Sequence, residues 1–178
     1  GILSPKELLE GFANKGMITV AMLFLVSEGV RRSGLLEALL RRLLPHQQGA
    51  GERQVQARML PVIAFISAFL NNTPVVVIFA PMIKRWAEKY GVAATKLLIP
   101  LSYATILGGV CTLIGTSTNL VVHGMVIDAG YGGFSMFELG KVGIIIAAAG
   151  LLYIWVFSSK LLPAARTDRN EETQPSEL

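Results

Sequence analysis

Two short polar stretches interrupt otherwise apolar sequence, and their residue types suit the binding of ions. Asn71-Asn72-Thr73-Pro74 lies within a run of 25 uncharged residues bounded by Arg58 and Lys84. Gly115-Thr116-Ser117-Thr118-Asn119 lies within a second apolar run, Leu97–Val122. Neither stretch contains Asp, Glu, Lys or Arg. Their amides, hydroxyls and freed carbonyls are neutral oxygens, the donors a hard cation takes. By analogy with other hard cations, sodium wants about five or six of them. Asn71, Asn72 and Thr73 supply part of such a set, and the second stretch offers the rest. A neutral site lets a cation bind first and then attract an anion, with no fixed charge buried in an apolar medium.

The local sequence reads as two interrupted helices. Asn tolerates the left-handed conformation that ends a helix, Thr73 suits an N-cap, and Pro74 suits the first helical position. In the second stretch Gly115 permits unwinding and close approach, and Thr116, Ser117 or Thr118 can cap the next helix. At each break one half-helix points its carbonyl end, and the next its amide end, at the same place. The carbonyls favour a cation and the amides favour an anionic group. Broken helices survive at membrane depth only where they line a protein cavity, and they mark transporter binding sites.

The elements that must position these residues follow from composition. Of 178 residues 52% are hydrophobic and 16% are charged, against about 25% charged in a soluble domain. Apolar runs fall at 17–27, 59–83, 97–122 and 142–159. They are apolar all round, without the polar outer face of a soluble bundle helix. The expected fold class is an all-α integral membrane protein. The spacing predicts a transmembrane helix over 17–33 and an amphipathic interfacial helix over 34–44. Next come a re-entrant hairpin over 59–83, a broken transmembrane helix over 97–127 and a transmembrane helix over 142–160. Each half of the hairpin, about 12 and 10 residues, is shorter than the roughly 30 Å core of a bilayer. Ser4-Pro5 reads as a helix start in an interfacial approach, and 46–58 reads as a loop.

The net charge of +4 does not indicate nucleic acid, because of where the basic residues fall. Arg31, Arg32, Arg41, Arg42, Arg53 and Arg58 separate the first two apolar runs, and Lys84, Arg85, Lys89 and Lys96 separate the second and third. If every run crossed once, these two basic loops would face opposite sides, against the rule that Lys and Arg collect in the cytoplasm. With 59–83 re-entrant, 13 of the 16 basic residues are cytoplasmic, the exceptions being Lys6, Lys15 and Lys141. Linker 31–58, loop 84–96 and the tail are then cytoplasmic. Residues 1–163 are then expected to form an incomplete membrane transport domain and 164–178 a polar cytoplasmic linker, which the family resemblance given below implies leads toward a further regulatory domain.

Other chemistry is poorly supported. Cys111, the single cysteine, has no disulfide partner, and His46 has no second metal ligand nearby. The stretch from Gly108 to Ser117 lacks the lysine of a phosphate-binding loop, and no protease motif is present. The chain reads as no enzyme. Glu28 lies near the basic end of the first helix, at helical spacing from Arg31 and Arg32, which suits an ion pair.

"SAFLNNTPVVVIFAPMI", starting at Ser67, followed by "LSYATILGGVCTLIGTSTNLVV", starting at Leu101, resembles the divalent-anion:sodium symporter family, the citrate-transporter-like permeases. The resemblance covers most of residues 10–162. It implies two inverted repeats, each with a re-entrant hairpin and an unwound helix, of which this chain is the first. It implies a Na+ site at Ser67, Asn71, Asn72, Gly115 and Asn119, and substrate contacts from Asn72, Thr73, Pro74, Thr116, Ser117 and Thr118. Na+ is the coupling ion, with no other cofactor. The partners are a small anion and the lipid bilayer, and the assembly is a homodimer of the full-length protein in the cell membrane. Asn71 stands where the family's hairpin carries Ser, and Ser117-Thr118 where dicarboxylate members often carry Pro-Pro. A di- or tricarboxylate, sulfate or another oxyanion therefore all remain open. Two other functions are compatible with the sequence. One is an anion-efflux permease or a cation/proton antiporter, for which Glu28 is the available carboxylate. The other is a membrane scaffold that transports nothing.

Overall fold

The computed structural model describes residues 15–45 and 51–163, all of them helical or irregular with no strand among them. The helices are α1 (Lys15–Arg32), α2 (Leu35–Leu43), α3 (Glu52–Ser67), α4 (Asn72–Tyr90), α5 (Thr95–Gly109), α6 (Ser117–Asp128) and α7 (Gly140–Leu161). The expected all-α class holds. The Ser4-Pro5 helix start, His46 and the 164–178 linker lie outside the described residues.

Gly34 divides α1 from α2 in a left-handed conformation (φ 69°) that a residue with a Cβ rarely adopts. The turn folds α2 back so that Leu36, Leu40 and Leu44 are buried, while Arg41 and Arg42 stay exposed. The leucine face of this expected interfacial helix therefore packs largely against protein. On α3 the buried stripe runs Val55, Met59, Ile63 and Ser67, at helical spacing. Val55, Met59 and Ile63 join Val75, Phe79 and Ile83 of α4, and Leu97 and Leu101 of α5, in one apolar core.

Both α3 and α4 pack on α5, and α7 covers α3 and α5. Gly108 makes the α3–α5 crossing a backbone contact, since a Cβ there would lie 2.0 Å from the Ala64 carbonyl oxygen. At the far end of this layer a polar clamp ties three helices. Gln56 donates to the Lys96 carbonyl (2.7 Å) and accepts from the Ser158 hydroxyl (2.8 Å), while Lys96 pairs with Glu52 at 3.0 Å. The indole of Trp155 adds a bond to the Arg53 carbonyl.

Several boundaries differ from those the sequence suggests. The 46–58 segment is not all loop, because α3 begins at Glu52. Nor is 84–96 all loop, because α4 continues to Tyr90 and closes on Gly91 in the left-handed region. The two halves are thus 16 and 19 residues, about 24 and 28 Å long, not 12 and 10 residues. Their charged ends continue the helices beyond the apolar run. The third run breaks as expected, with residues 110–116 unwound between α5 and α6.

Among the described residues, α7 is the one helix long and apolar enough to cross a membrane, and only 17% of its apolar stretch is buried. The core helix of a soluble protein would be mostly buried. The 18 residues of α1 include Lys15, Glu28, Arg31 and Arg32, so α1 does not share that character. Glu28 is held by both arginines, at 2.6 Å from Arg31 and 2.8 Å from Arg32.

Candidate functional site

The two helix breaks meet. α3 ends at Ser67 and α4 begins at Asn72, so residues 68–71 form a tight tip. That tip lies against Gly109 and Gly115 of the second break. A Cβ on Gly109 would fall 2.6 Å from Asn72 Oδ1, and one on Gly115 would fall 2.6 Å from the Gly109 carbonyl and 3.0 Å from that of Ala68. Only glycine lets three strands of backbone approach this closely.

Hydrogen bonds hold the breaks together. Buried Thr112 donates its hydroxyl to the Ala68 carbonyl and accepts the Gly115 N–H at 3.1 Å, so one side chain ties the second break to the tip of the first. Asn119 spends both amide protons on the second break, donating to the carbonyls of Gly109 (3.2 Å) and Thr112 (2.9 Å). Its side-chain oxygen is left over from this arrangement. Buried Ser67 lies 2.7 Å from Asn72 Oδ1 and 2.9 Å from the Thr105 carbonyl. A hydroxyl has one proton, so Ser67 serves those two acceptors one at a time.

The electrostatics follow from the helix ends. The carbonyl ends of α3 and α5 and the amide ends of α4 and α6 come to the same region. Partial charges of both signs therefore stand close together without any ionised side chain. The available oxygens are side-chain oxygens of Asn72, Ser67 and Asn119 and main-chain carbonyls at Ala68, Gly109 and Thr112. Such a set suits a hard monovalent cation. Among the described residues no group of three His, Cys, Asp or Glu side chains converges to hold a metal.

Of the residues singled out from sequence, the structure joins Ser67, Asn72, Gly115 and Asn119 in this cluster. Asn71, Thr73, Pro74, Thr116, Ser117 and Thr118 are its chain neighbours. Among the described residues no side-chain hydrogen bond joins them to it. Asn71, not Thr73, occupies the N-cap position of α4. It does so at φ −55° and without a side-chain capping bond, so neither a left-handed Asn nor a Thr73 cap is present. Pro74 consequently sits two residues inside the helix, in the first turn where its missing N–H is still harmless. Thr116 is the N-cap residue of α6 in extended conformation, again with no capping bond from its side chain.

Sequence reasoning missed Thr112, Ala68 and Thr105. The signal for Thr112 was a lone hydroxyl between the glycine pair and Gly115. Its partners lie 44 residues away at Ala68 and 3 away at Gly115.

Comparison with known proteins places the chain in a family. The model of the citrate transporter family matches residues 1–174. An uncharacterized transporter of Synechocystis sp. is 40% identical over 93% of this chain and 27% of its own length. The probable sodium/sulfate cotransporter 3 of Chlamydomonas reinhardtii is 41% identical over 91% of this chain and 19% of its own. The uncharacterized transporter YfbS of Escherichia coli is 30% identical over 96% and 28%. No solved structure matches the chain. The family and these relatives are transporters, not enzymes, and hence membrane proteins. The chain belongs to the citrate transporter family. It spans between 19% and 28% of the length of these relatives.

Proposed function

We propose that this chain is the first repeat of a sodium-coupled anion transporter of the cell membrane, with its two helix breaks forming a Na+ site and half of an anion site. The observation that carries the reading is the convergence of both breaks on Gly109, through Asn72 on one side and Asn119 on the other. Ser67, Asn72, Gly115 and Asn119, with Asn71, supply or shape the sodium site. Asn72, Thr73, Pro74, Thr116, Ser117 and Thr118 face the anion. The hairpin of α3 and α4 enters and leaves on the cytoplasmic side, and a homodimer of the complete protein carries the sites between the two faces by an elevator-like or rocking motion. Among the open substrates sulfate has the best support, since a relative at 41% identity bears the name of a sodium/sulfate cotransporter. The antiporter alternative is weaker, because the Glu28 carboxylate is already engaged by Arg31 and Arg32.

The test is uptake of radiolabelled sulfate, and in parallel citrate, by proteoliposomes holding the intact protein under an inward sodium gradient. The double variant Asn72→Ala/Asn119→Ala is expected to abolish sodium-driven uptake. Undiminished uptake by this variant overturns the site assignment, and uptake driven equally by a proton gradient without sodium overturns the coupling.

A further inference from the structure

Away from the two breaks, a cavity of about 310 Å³ lies between the C-terminal end of α1, α2 and α4. Arg31, Arg41 and Arg85 line it, one from each helix, together with one carboxylate, Glu37. Arg31 already spends two of its donors on Glu28. Among the described residues neither Arg41 nor Arg85 has a hydrogen-bond or ion-pair partner. Unpaired guanidinium forks from two helices, aimed at a shared space, match the tetrahedral oxygens of a phosphate group. The wall beside them is apolar, with Val77 and Pro81 of α4 exposed. A free oxyanion has no use for such a wall, whereas an acyl chain does.

We infer that this cavity binds the headgroup phosphate of an anionic phospholipid, with Arg41 and Arg85 on the phosphate and the lipid chain along Val77 and Pro81. The inference rests on the proposed membrane orientation, in which α2 and the Arg85 end of α4 lie at the cytoplasmic face. Anionic lipids are concentrated there, and basic pockets between helices take their headgroups. It does not depend on sodium coupling or on the transported anion. A lipid in this place joins α2 to α4, the second half of the hairpin, and so links the surrounding bilayer to the element bearing Asn72.

The experiment uses the intact protein in neutral detergent, titrated with phosphatidylglycerol or phosphatidylcholine. Thermal midpoint and lipid adducts retained in native mass spectrometry are the readouts. Phosphatidylglycerol, and not phosphatidylcholine, is expected to raise the midpoint and to remain bound. Arg41→Gln/Arg85→Gln should weaken phosphatidylglycerol binding by about ten-fold or more, the scale of losing charge-assisted hydrogen bonds. Arg42→Gln, which removes a charge next door but outside the cavity, should leave it unchanged. Arg85→Gln alone, on an exposed face, gives the same reading if the double variant is unstable. Three results overturn the proposal: binding by the double variant within two-fold of the parent, an equal loss in Arg42→Gln, or an equal shift from inorganic phosphate. Sodium-driven uptake measured on the same samples reports separately on the transport site, so the two proposals fail independently.

Discussion

Replacing Thr112 by Val changes almost nothing in volume and removes the one hydroxyl that ties the two breaks together. The Thr112 side chain is 3% exposed, so water does not readily replace it. Two backbone groups lose their partner, the Ala68 carbonyl at the end of α3 and the Gly115 N–H in the second break. Leaving a buried polar group unpaired costs about 1–3 kcal/mol, so the pair amounts to roughly 2–6 kcal/mol. Thr112→Ser keeps the hydroxyl and loses one methyl, about 1 kcal/mol. The assay is unfolding of the intact protein in micelles, followed by tryptophan fluorescence, with hydrogen exchange over residues 64–72 and 109–119 as the local measure. Thr112→Val should be the less stable of the two, with faster exchange in both segments. Equal stability of the Val and Ser variants, or protection unchanged at residues 64–72, would refute the claim that this hydroxyl joins the breaks.

Further outcomes follow from the presence or absence of helix contacts. Gly108→Ala forces a methyl to within 2.0 Å of the Ala64 carbonyl and should cost about 3 kcal/mol or more in unfolding free energy. Gly29→Ala, where nothing lies within 4 Å, should instead gain about 0.5–1 kcal/mol. Gln56→Leu strands the Lys96 carbonyl and the Ser158 hydroxyl, a loss of roughly 2–6 kcal/mol in denaturant titration. Adding Ser158→Ala should recover part of that loss, since the hydroxyl is no longer left without a partner.

The breaks were legible in the sequence because they use residues with strong local rules. Asn71-Asn72 ahead of Pro74, and Gly115 ahead of three hydroxyl residues, interrupt apolar runs that nothing else explains. The buried stripe of α3 was hidden in its first two turns. There Glu52, Arg53, Gln54, Gln56 and Arg58 give a polar composition, although Val55 and Met59 already mark the inward face. Gln56 itself is buried and paired with groups 40 and 102 residues distant, which no local pattern discloses. Capping was misjudged for a related reason. Side-chain caps are local preferences, and at both breaks Asn72 and Asn119 are instead engaged across the break, where tertiary contacts outweigh them. The pair Gly108-Gly109 stands in the third apolar run. Its two separate duties, meeting Ala64 and admitting Asn72, emerge only once α3 and α4 are in place.

The single proton of Ser67 gives the sodium site proposed above a means of reporting its own occupancy. Asn72 Oδ1 and the Thr105 carbonyl compete for that proton. At the sodium site proposed above, a cation on Asn72 Oδ1 would take that oxygen for itself, leaving Ser67 to give its proton to Thr105 without interruption. Ion binding there would strengthen one bond between α3 and α5, a few residues from the crossing where Gly108 brings their backbones together. The state of the proposed site would then pass from the tip to a neighbouring helix by reassigning a proton, with no charged side chain moving.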